Sequence, residues 1–472
     1  RAPSLARLTG DIYLSLDGIF GYPIWVAGTV VITFILFSQL LMESGAGQFF
    51  LNLALSLVGG MRGGPAKVAV VASSFFATLS GSPTANVAAT GSITIPLMKS
   101  TGYPPHFAAA VEAVASKGGQ LTPPIMGAVI FLMVEATGFS YLEVAIAATL
   151  PALLYYLSIF LQVDFRAART GLKGLAASEL PSLKETLKGG WPYLIPLAAL
   201  VYFIFLRNDE PEQAALYSMA VLWIVCLFRK DSRLTPARIV RAFKSGATTT
   251  LYAAVPCALS GVILASLATT GLGIRFSGQI INLAGGNLAV LVGLAAFASF
   301  VLGMGMTSIA IYIILSVLIA PGLVKMGVHV LAAHLFIIFW GNISFITPPV
   351  AIAAFAAAGI AGADPMKTGW QAARLGIVSF LIPFMFVWNP KLILIGSWGD
   401  IVMTSISALI GVTILAGAVE GYLPGGSLGW LSRIFMMGSA ILLLAPGWRT
   451  DLTGLILVLP VLFRHMRGKG VR

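Results

Sequence analysis

Four short stretches of this chain place side-chain oxygens beside backbone that cannot stay helical. They are Ser80-Gly81-Ser82-Pro83-Thr84-Ala85-Asn86, Gly118-Gly119-Gln120-Leu121-Thr122-Pro123-Pro124, Gly303-Met304-Gly305-Met306-Thr307-Ser308 and Gly341-Asn342-Ile343-Ser344-Phe345-Ile346-Thr347-Pro348-Pro349. Gly and Pro at this density interrupt a helix. The interruption leaves N–H and C=O groups without intrahelical partners. Free carbonyls beside Ser and Thr hydroxyls are hard oxygen ligands, suited to a cation such as Na⁺. The N-terminal ends of the resumed helices offer N–H donors and a positive dipole to an anion. The plain alternative is kinking and close packing by small residues, which membranes favour.

The elements that carry these stretches follow from composition. Of 472 residues, 58% are hydrophobic and only 46 are charged, 29 basic and 17 acidic. A soluble domain carries about 25% charged residues, so a soluble enzyme and a nucleic-acid binder are both excluded. The net charge of +12 does not change this, because the basic residues form short clusters between apolar runs. Such clusters set orientation in a membrane and meet anionic headgroups. Runs near the roughly 20 residues needed to cross the hydrocarbon fall at about 23–42, 142–163, 249–270, 287–302, 368–388, 399–418 and 430–445. Runs at 192–206 and 213–228 are shorter, and a last one at 452–463 precedes the basic tail of Arg464, Arg467, Lys469 and Arg472. Backbone in lipid must be satisfied internally and strand alternation is absent, so the spans are helices and not a barrel. Loops 164–191 and 229–244 are basic (Arg166, Arg169, Lys173, Lys184, Lys188; Arg229, Lys230, Arg233, Arg238, Arg241, Lys244), whereas the turn from Arg207 to Glu212 is net acidic. The positive-inside rule puts the two loops in the cytoplasm and the turn outside. Cys226 and Cys257 lie in apolar runs and suggest neither a disulfide framework nor a thiolate site. No metalloprotease, phosphate-loop or Ser/His/Asp pattern is present. The chain opens at Arg1 and not Met, as expected of a processed or truncated piece.

The four interruptions form two pairs at one offset. Adding 225 carries Thr122-Pro123-Pro124 onto Thr347-Pro348-Pro349, Pro96 onto Pro321, Gly102 onto Gly327 and Ser82 onto Thr307. The register holds without a gap to Asp164, which meets Asn389. Two halves with matched Gly/Pro-interrupted segments are the pattern of a secondary transporter with its site between the repeats. In lipid such backbone must be buried in protein or line a wet cavity.

The residues at these interruptions also resemble a known family. Ser80-Gly81-Ser82, Ala85-Asn86, Thr90-Gly91-Ser92, Ile95-Pro96-Leu97-Met98-Lys99 and Gly102-Tyr103-Pro104-Pro105 look like the large membrane subunit of tripartite ATP-independent periplasmic (TRAP) transporters. So do Ala110-Val111-Glu112-Ala113, Leu302-Gly303-Met304-Gly305, His334-Leu335-Phe336, Ile346-Thr347-Pro348-Pro349-Val350 and Ala361-Gly362-Ala363-Asp364-Pro365-Met366. Gly45-Ala46-Gly47, Phe49-Phe50 and Gly63-Gly64-Pro65-Ala66-Lys67 resemble the TAXI subclass, whose membrane subunits are commonly fused. The resemblance covers about 14–395, and the tail resembles an extra membrane region of fused TAXI-type chains. It implies uptake of organic acids driven by Na⁺ and not by ATP, delivery by a soluble substrate-binding protein, and elevator movement against a scaffold. It also implies a small four-helix membrane subunit, expected as a fused N-terminal part absent here. Three positions depart from relatives: Thr307 where a Pro is usual, Pro83-Thr84, and Lys117 at a normally small or hydroxylated position.

The expected fold is an all-α polytopic membrane protein with two inverted structural repeats, each holding a re-entrant hairpin and an interrupted helix. The expected divisions are 1–165, 166–248 with the basic loops and two spans, 249–395, and 396–472. Ser80, Ser82, Thr84 and Asn86, with Gly118, Gly119 and Thr122, would form a first cation site. Gly305, Thr307 and Ser308, with Asn342, Ser344 and Thr347, would form a second. A small organic anion would sit between the tips, touching Ser82, Thr84, Thr307 and Ser308, with Lys117 a further contact. Two rivals stand beside this. One is a proton-driven antiporter or channel-like protein using Glu112 or Glu135 as its ionisable group. The other is a membrane-embedded enzyme or scaffold subunit, which would need a titratable cluster at one depth. His106 and His334, near helix starts, are expected to be structural.

Overall fold

The computed structural model describes residues 4–228 and 233–467. Arg229, Lys230, Lys469 and Arg472, expected in a basic loop and tail, lie outside the described residues. The described chain is helical almost throughout. In the first half come α1 (Leu5–Tyr13), α2 (Tyr22–Val26), which runs through a π turn into α3 (Ile32–Glu43), α4 (Ala46–Val58), α5 (Gly64–Ser80), α6 (Pro83–Ser100), α7 (Pro105–Gly118), α8 (Val129–Thr137) and α9 (Tyr141–Thr170). A connecting region follows with α10 (Leu183–Gly190), α11 (Leu194–Val201) and α12 (Pro211–Leu227). The second half has α13 (Pro236–Thr270), α14 (Leu272–Leu283), α15 (Leu288–Leu302), α16 (Ser308–Leu318), α17 (Ala320–Lys325), α18 (Val330–Asn342), α19 (Ile352–Ala361), α20 (Pro365–Leu375) and α21 (Ile377–Trp388). The chain ends with α22 (Trp398–Glu420), a two-residue β pair, α23 (Trp430–Leu444) and α24 (Trp448–Arg467). Among the described residues seven helices are long and apolar enough to cross a membrane.

The helix boundaries follow local chemistry. Ser82 and Thr307 are the N-caps of α6 and α16, accepting from the N–H of Ala85 and of Ala310, each at 3.4 Å. α9 begins at a capping box between Ser140 and Glu143 and ends at Gly171, whose φ of 72° only Gly adopts cheaply. Two loop expectations are corrected by such signals. Arg166 and Arg169 ride on α9 because nothing stops that helix before Gly171. Arg238, Arg241 and Lys244 ride on α13, because Thr235 caps it and Pro236 opens it. The runs at 287–302 and 430–445 are 15-residue helices, too short to count as full spans.

The offset of 225 seen in the sequence is also an offset between elements. Shifted by 225, α6 (Pro83–Ser100) lands on Ser308 to Lys325, the span of α16 plus α17, and α7 lands on α18. The register extends further upstream than the shared tripeptide suggested: α4 shifts onto α14, and α3 onto the last part of α13. The Pro123–Pro124 and Pro348–Pro349 bonds are both cis, and two left-handed non-glycine residues, Met126 and Ala351, are also 225 apart. α5 and α6 pack as one hairpin with α7 against both, while α15 and α16 pack on α18. The halves interlock, since α19 of the second half packs on α6 and α7 of the first, and α13 packs on α3.

Candidate functional site

Each hairpin tip lies against the interruption of its own half. Hairpin 1 turns at Gly81 (φ 63°), and a Cβ there would come 2.5 Å from the Cα of Gly127. A Cβ on Gly127 would in turn come 2.7 Å from the Cα of Gly81. The two backbones therefore touch where no side chain fits. At hairpin 2 a close approach lies at a different register, between Gly303 and Gly341, where a Cβ on Gly303 would meet the Gly341 carbonyl oxygen at 2.5 Å. A hydroxyl also fastens each hairpin to the interruption of its own half: Thr78 donates to the Thr122 carbonyl at 3.0 Å, and Ser344 donates to the Gly303 carbonyl at 2.8 Å. Thr78 and Gly303 are again 225 apart.

The interruption between α7 and α8 frees carbonyls at the end of α7, and α9 answers them. Tyr155 donates to the Val114 carbonyl at 2.6 Å, and Tyr156 to the Ala115 carbonyl at 2.8 Å. Thr122 donates to the Gly118 carbonyl at 2.9 Å. Gln120 reaches furthest. Its amide nitrogen donates to the Gly81 carbonyl at 3.0 Å and to the Ser308 hydroxyl at 2.5 Å, so it spans both tips.

The structure sorts the expected site residues. Ser82 and Thr84 sit together, their hydroxyls 3.3 Å apart. Ser80 is exposed and makes only a long contact of 3.5 Å to the Ser82 carbonyl. Thr307 is exposed, Ser308 is buried, and Gly305 (φ 76°) has open space around it. Asn86, Asn342, Ser344, Thr347, Gly118 and Gly119 are all buried. Lys117 stands apart from the tips. It is fully buried, donates to the Ser379 hydroxyl at 2.7 Å, and lies 5.0 and 5.4 Å from the ring centroids of Tyr155 and Phe339. Its counterpart at +225 is Asn342, so the two interruptions are chemically unlike at that position.

Glu112 and Glu135 differ sharply in surroundings. Glu135 is exposed at the end of α8. Glu112 is fully buried and accepts from Ser73 (2.7 Å), Thr90 (2.5 Å), Thr94 (2.5 Å) and Ser116 (3.2 Å). Those donors come from α5, α6 and α7, so one carboxyl ties the hairpin to the interrupted helix. Asn86 joins the cluster by donating to the Ser116 hydroxyl at 2.7 Å. His334 is buried with Nδ1 2.8 Å from the Tyr312 hydroxyl.

In the tips and interruptions, four buried side-chain atoms have no hydrogen-bond partner: Asn86 Oδ1, Gln120 Oε1, Asn342 Oδ1 and Thr347 Oγ1. All four are oxygens, two in each half.

The family Tripartite ATP-independent periplasmic transporter, DctM component, matches residues 16–401. The chain belongs to this family. Among its relatives, a C4-dicarboxylate TRAP transporter large permease protein of Pseudomonas aeruginosa is 29% identical over 75% of this chain and 82% of its own. The corresponding protein of Vibrio cholerae is 27% identical over 76% and 85%. An isethionate TRAP transporter permease protein of Oleidesulfovibrio alaskensis is 26% identical over 68% of this chain and 50% of its own length. This TRAP large subunit is thus a multi-pass inner-membrane transporter and not an enzyme.

Sequence reasoning missed several residues that build the TRAP subunit's tip region. Gln120 was visible only as part of a motif, because its reach to Ser308 crosses 188 residues of chain. Thr90 and Thr94 on α6, and Ser116 beside Glu112 on α7, carry a usable signal, since a spacing of four puts each pair on one helix face; Ser73 on α5 carries none.

Proposed function

We propose that this chain is the large membrane subunit of a Na⁺-coupled carrier for a small organic acid anion, handed over by a soluble TAXI-type substrate-binding protein. The observation that carries this is the set of four buried oxygens without partners, two beside each tip. A buried acceptor left unsatisfied costs about 1–3 kcal/mol, and a hard cation satisfies oxygens where no donor side chain reaches them. Asn86 and Gln120, with Ser82, Thr122 and the freed carbonyls near Gly118 and Gly119, would hold one ion. Asn342 and Thr347, with Ser344, Ser308 and Thr307, would hold the other. The anion sits between the tips, at the starts of α6 and α16, where helix dipoles favour negative charge. Ser82, Thr84, Thr307 and Ser308 face it as hydroxyl donors, and Lys117 reaches it only by releasing Ser379. Relatives named for C4-dicarboxylates and isethionate support an anionic substrate.

Movement is of the elevator type, with the hairpins and interrupted helices as the carriage and α3 with α13 in the scaffold. The mutual packing of α3 and α13, and of α19 on α6 and α7, supports such a division. A small four-helix membrane subunit completes the complex, and ATP plays no part. Uptake of the binding protein's copurified, isotopically labelled ligand into proteoliposomes holding the full complex tests the coupling. Replacing external Na⁺ by choline abolishes uptake; an unchanged rate would end the Na⁺ assignment. Proton coupling through Glu112 is a second reading, favoured by the four hydroxyls around a fully buried acid. Uptake driven by a pH jump without Na⁺ would establish it instead.

A further inference from the structure

We propose that Gln120 couples the two cation sites, its side-chain oxygen binding the first ion while its amide nitrogen holds the tip that forms the second. This rests on the Na⁺ reading above and assigns a role within it. Gln120 is 4% exposed, and its amide has two N–H donors and one carbonyl oxygen. The donors meet two different hairpins, at the Gly81 carbonyl (3.0 Å) and the Ser308 hydroxyl (2.5 Å). The oxygen is left over: Oε1 is buried without a partner. Because the amide is planar, two bonds from its nitrogen fix where that oxygen points. The arrangement is one-sided, since position 345, its equivalent in the second half, is Phe. One residue therefore joins the halves at their tips.

The consequence is electrostatic. A cation at Oε1 draws electron density from the amide and makes its N–H groups better donors. Their hold on Gly81 and Ser308 tightens when the first ion binds. Ser308 opens α16 next to its cap Thr307, so the second tip is set in the shape its own ion needs. Binding free energies couple reciprocally, so the second ion also favours the first.

Binding of ²²Na⁺ to the intact complex in nanodiscs, with choline keeping ionic strength constant, tests this without knowledge of the substrate. The wild-type isotherm is sigmoidal. Gln120→Leu removes oxygen and donors together, so half-saturation weakens by about tenfold or more and the curve becomes hyperbolic. Gln120→Glu keeps an oxygen ligand but loses both donors; the Ser308 hydroxyl can donate to the carboxylate instead, but a cation there weakens that bond where it would tighten the amide's, so the variant binds at least as tightly as wild type, yet with a hyperbolic curve. A merely structural Gln120 would lower the melting temperature of both variants and leave the curve's shape alone. Should Gln120→Leu fail to fold, Gln120→Glu decides, and a sigmoidal curve from it overturns the coupling. A wild-type isotherm that is hyperbolic also overturns the coupling while leaving the Na⁺ reading standing. No saturable ²²Na⁺ binding at all overturns both.

Discussion

Gly81 and Gly305 are both left-handed turn glycines at hairpin tips, yet their surroundings separate two physical effects. At Gly305 a Cβ meets open space, so Gly305→Ala carries only the conformational cost of a positive φ, about 1–3 kcal/mol. At Gly81 the same Cβ would come 2.5 Å from the Gly127 Cα, and backbone cannot swing aside as a side chain can. Gly81→Ala must therefore open the contact between tip and interruption on which the proposed first cation site depends. The expected outcome is a larger loss of melting temperature for Gly81→Ala than for Gly305→Ala in detergent, together with loss of Na⁺-driven uptake. Equal effects would mean that the Gly81–Gly127 approach is incidental. Lys117 shows what residue type alone leaves out: the fold holds its ammonium against Ser379 and two aromatic rings, so the proposed anion contact requires it to let go of Ser379.

At the scale of elements, Glu112 is the joint of the first half. Glu112→Ala would leave the hydroxyls of Ser73, Thr90, Thr94 and Ser116 facing a hole, at about 1–3 kcal/mol for each group that finds no new partner. Glu112→Gln keeps the shape and an acceptor oxygen, and the hydroxyls can rotate to receive its N–H. The expected result is that Glu112→Ala melts well below wild type, while Glu112→Gln stays folded and keeps Na⁺-driven uptake. A folded Glu112→Gln that cannot transport would shift the coupling from Na⁺ to a proton. The elements themselves were largely legible in the sequence, because apolar length and Gly/Pro punctuation are local signals. α6 and α16–α17 announce themselves through Pro96 and Pro321 at one offset. The upstream part of the repeat was not legible: α3 and the end of α13 share apolar composition but no rare residue to fix a register. The cap roles of Ser82 and Thr307 were not drawn from spacing either, although each hydroxyl sits immediately before its helix. The Gln120 bridge lay beyond reach altogether, since only folding brings residues 188 apart into contact.

For the whole molecule, the region after the family match has a definite place. α22 packs on α9, and α23 and α24 follow it outward. The end of α22 is gripped by arginines from both halves: Arg169 donates to the Glu420 carbonyl at 3.0 Å, and Arg374 to the Val419 carbonyl at 3.0 Å. Arg374 also pairs with the buried Glu420 carboxylate at 2.9 Å. Arg433 of α23 adds bonds to the Ala418 and Val419 carbonyls. α9 packs on α5 and α7, and α20 packs on α7, so these grips bind the C-terminal helices to the hairpin core. If that core slides against the scaffold, α22 to α24 travel with it. Paired cysteines distinguish the bodies once Cys226 and Cys257, both free, are replaced. Arg374 and Glu420 changed together leave neither charge unpaired, and cross-linking that pair leaves uptake intact. Tyr22 of α2, which runs on into α3, lies within side-chain hydrogen-bonding reach of Ser316 of α16, across the proposed boundary between scaffold and carriage. Cross-linking cysteines at those two positions stops uptake, and reduction restores it. Uptake that survives a closed Tyr22–Ser316 link would rule out sliding at that surface, and uptake lost on linking positions 374 and 420 would show that the C-terminal helices do not ride with the core.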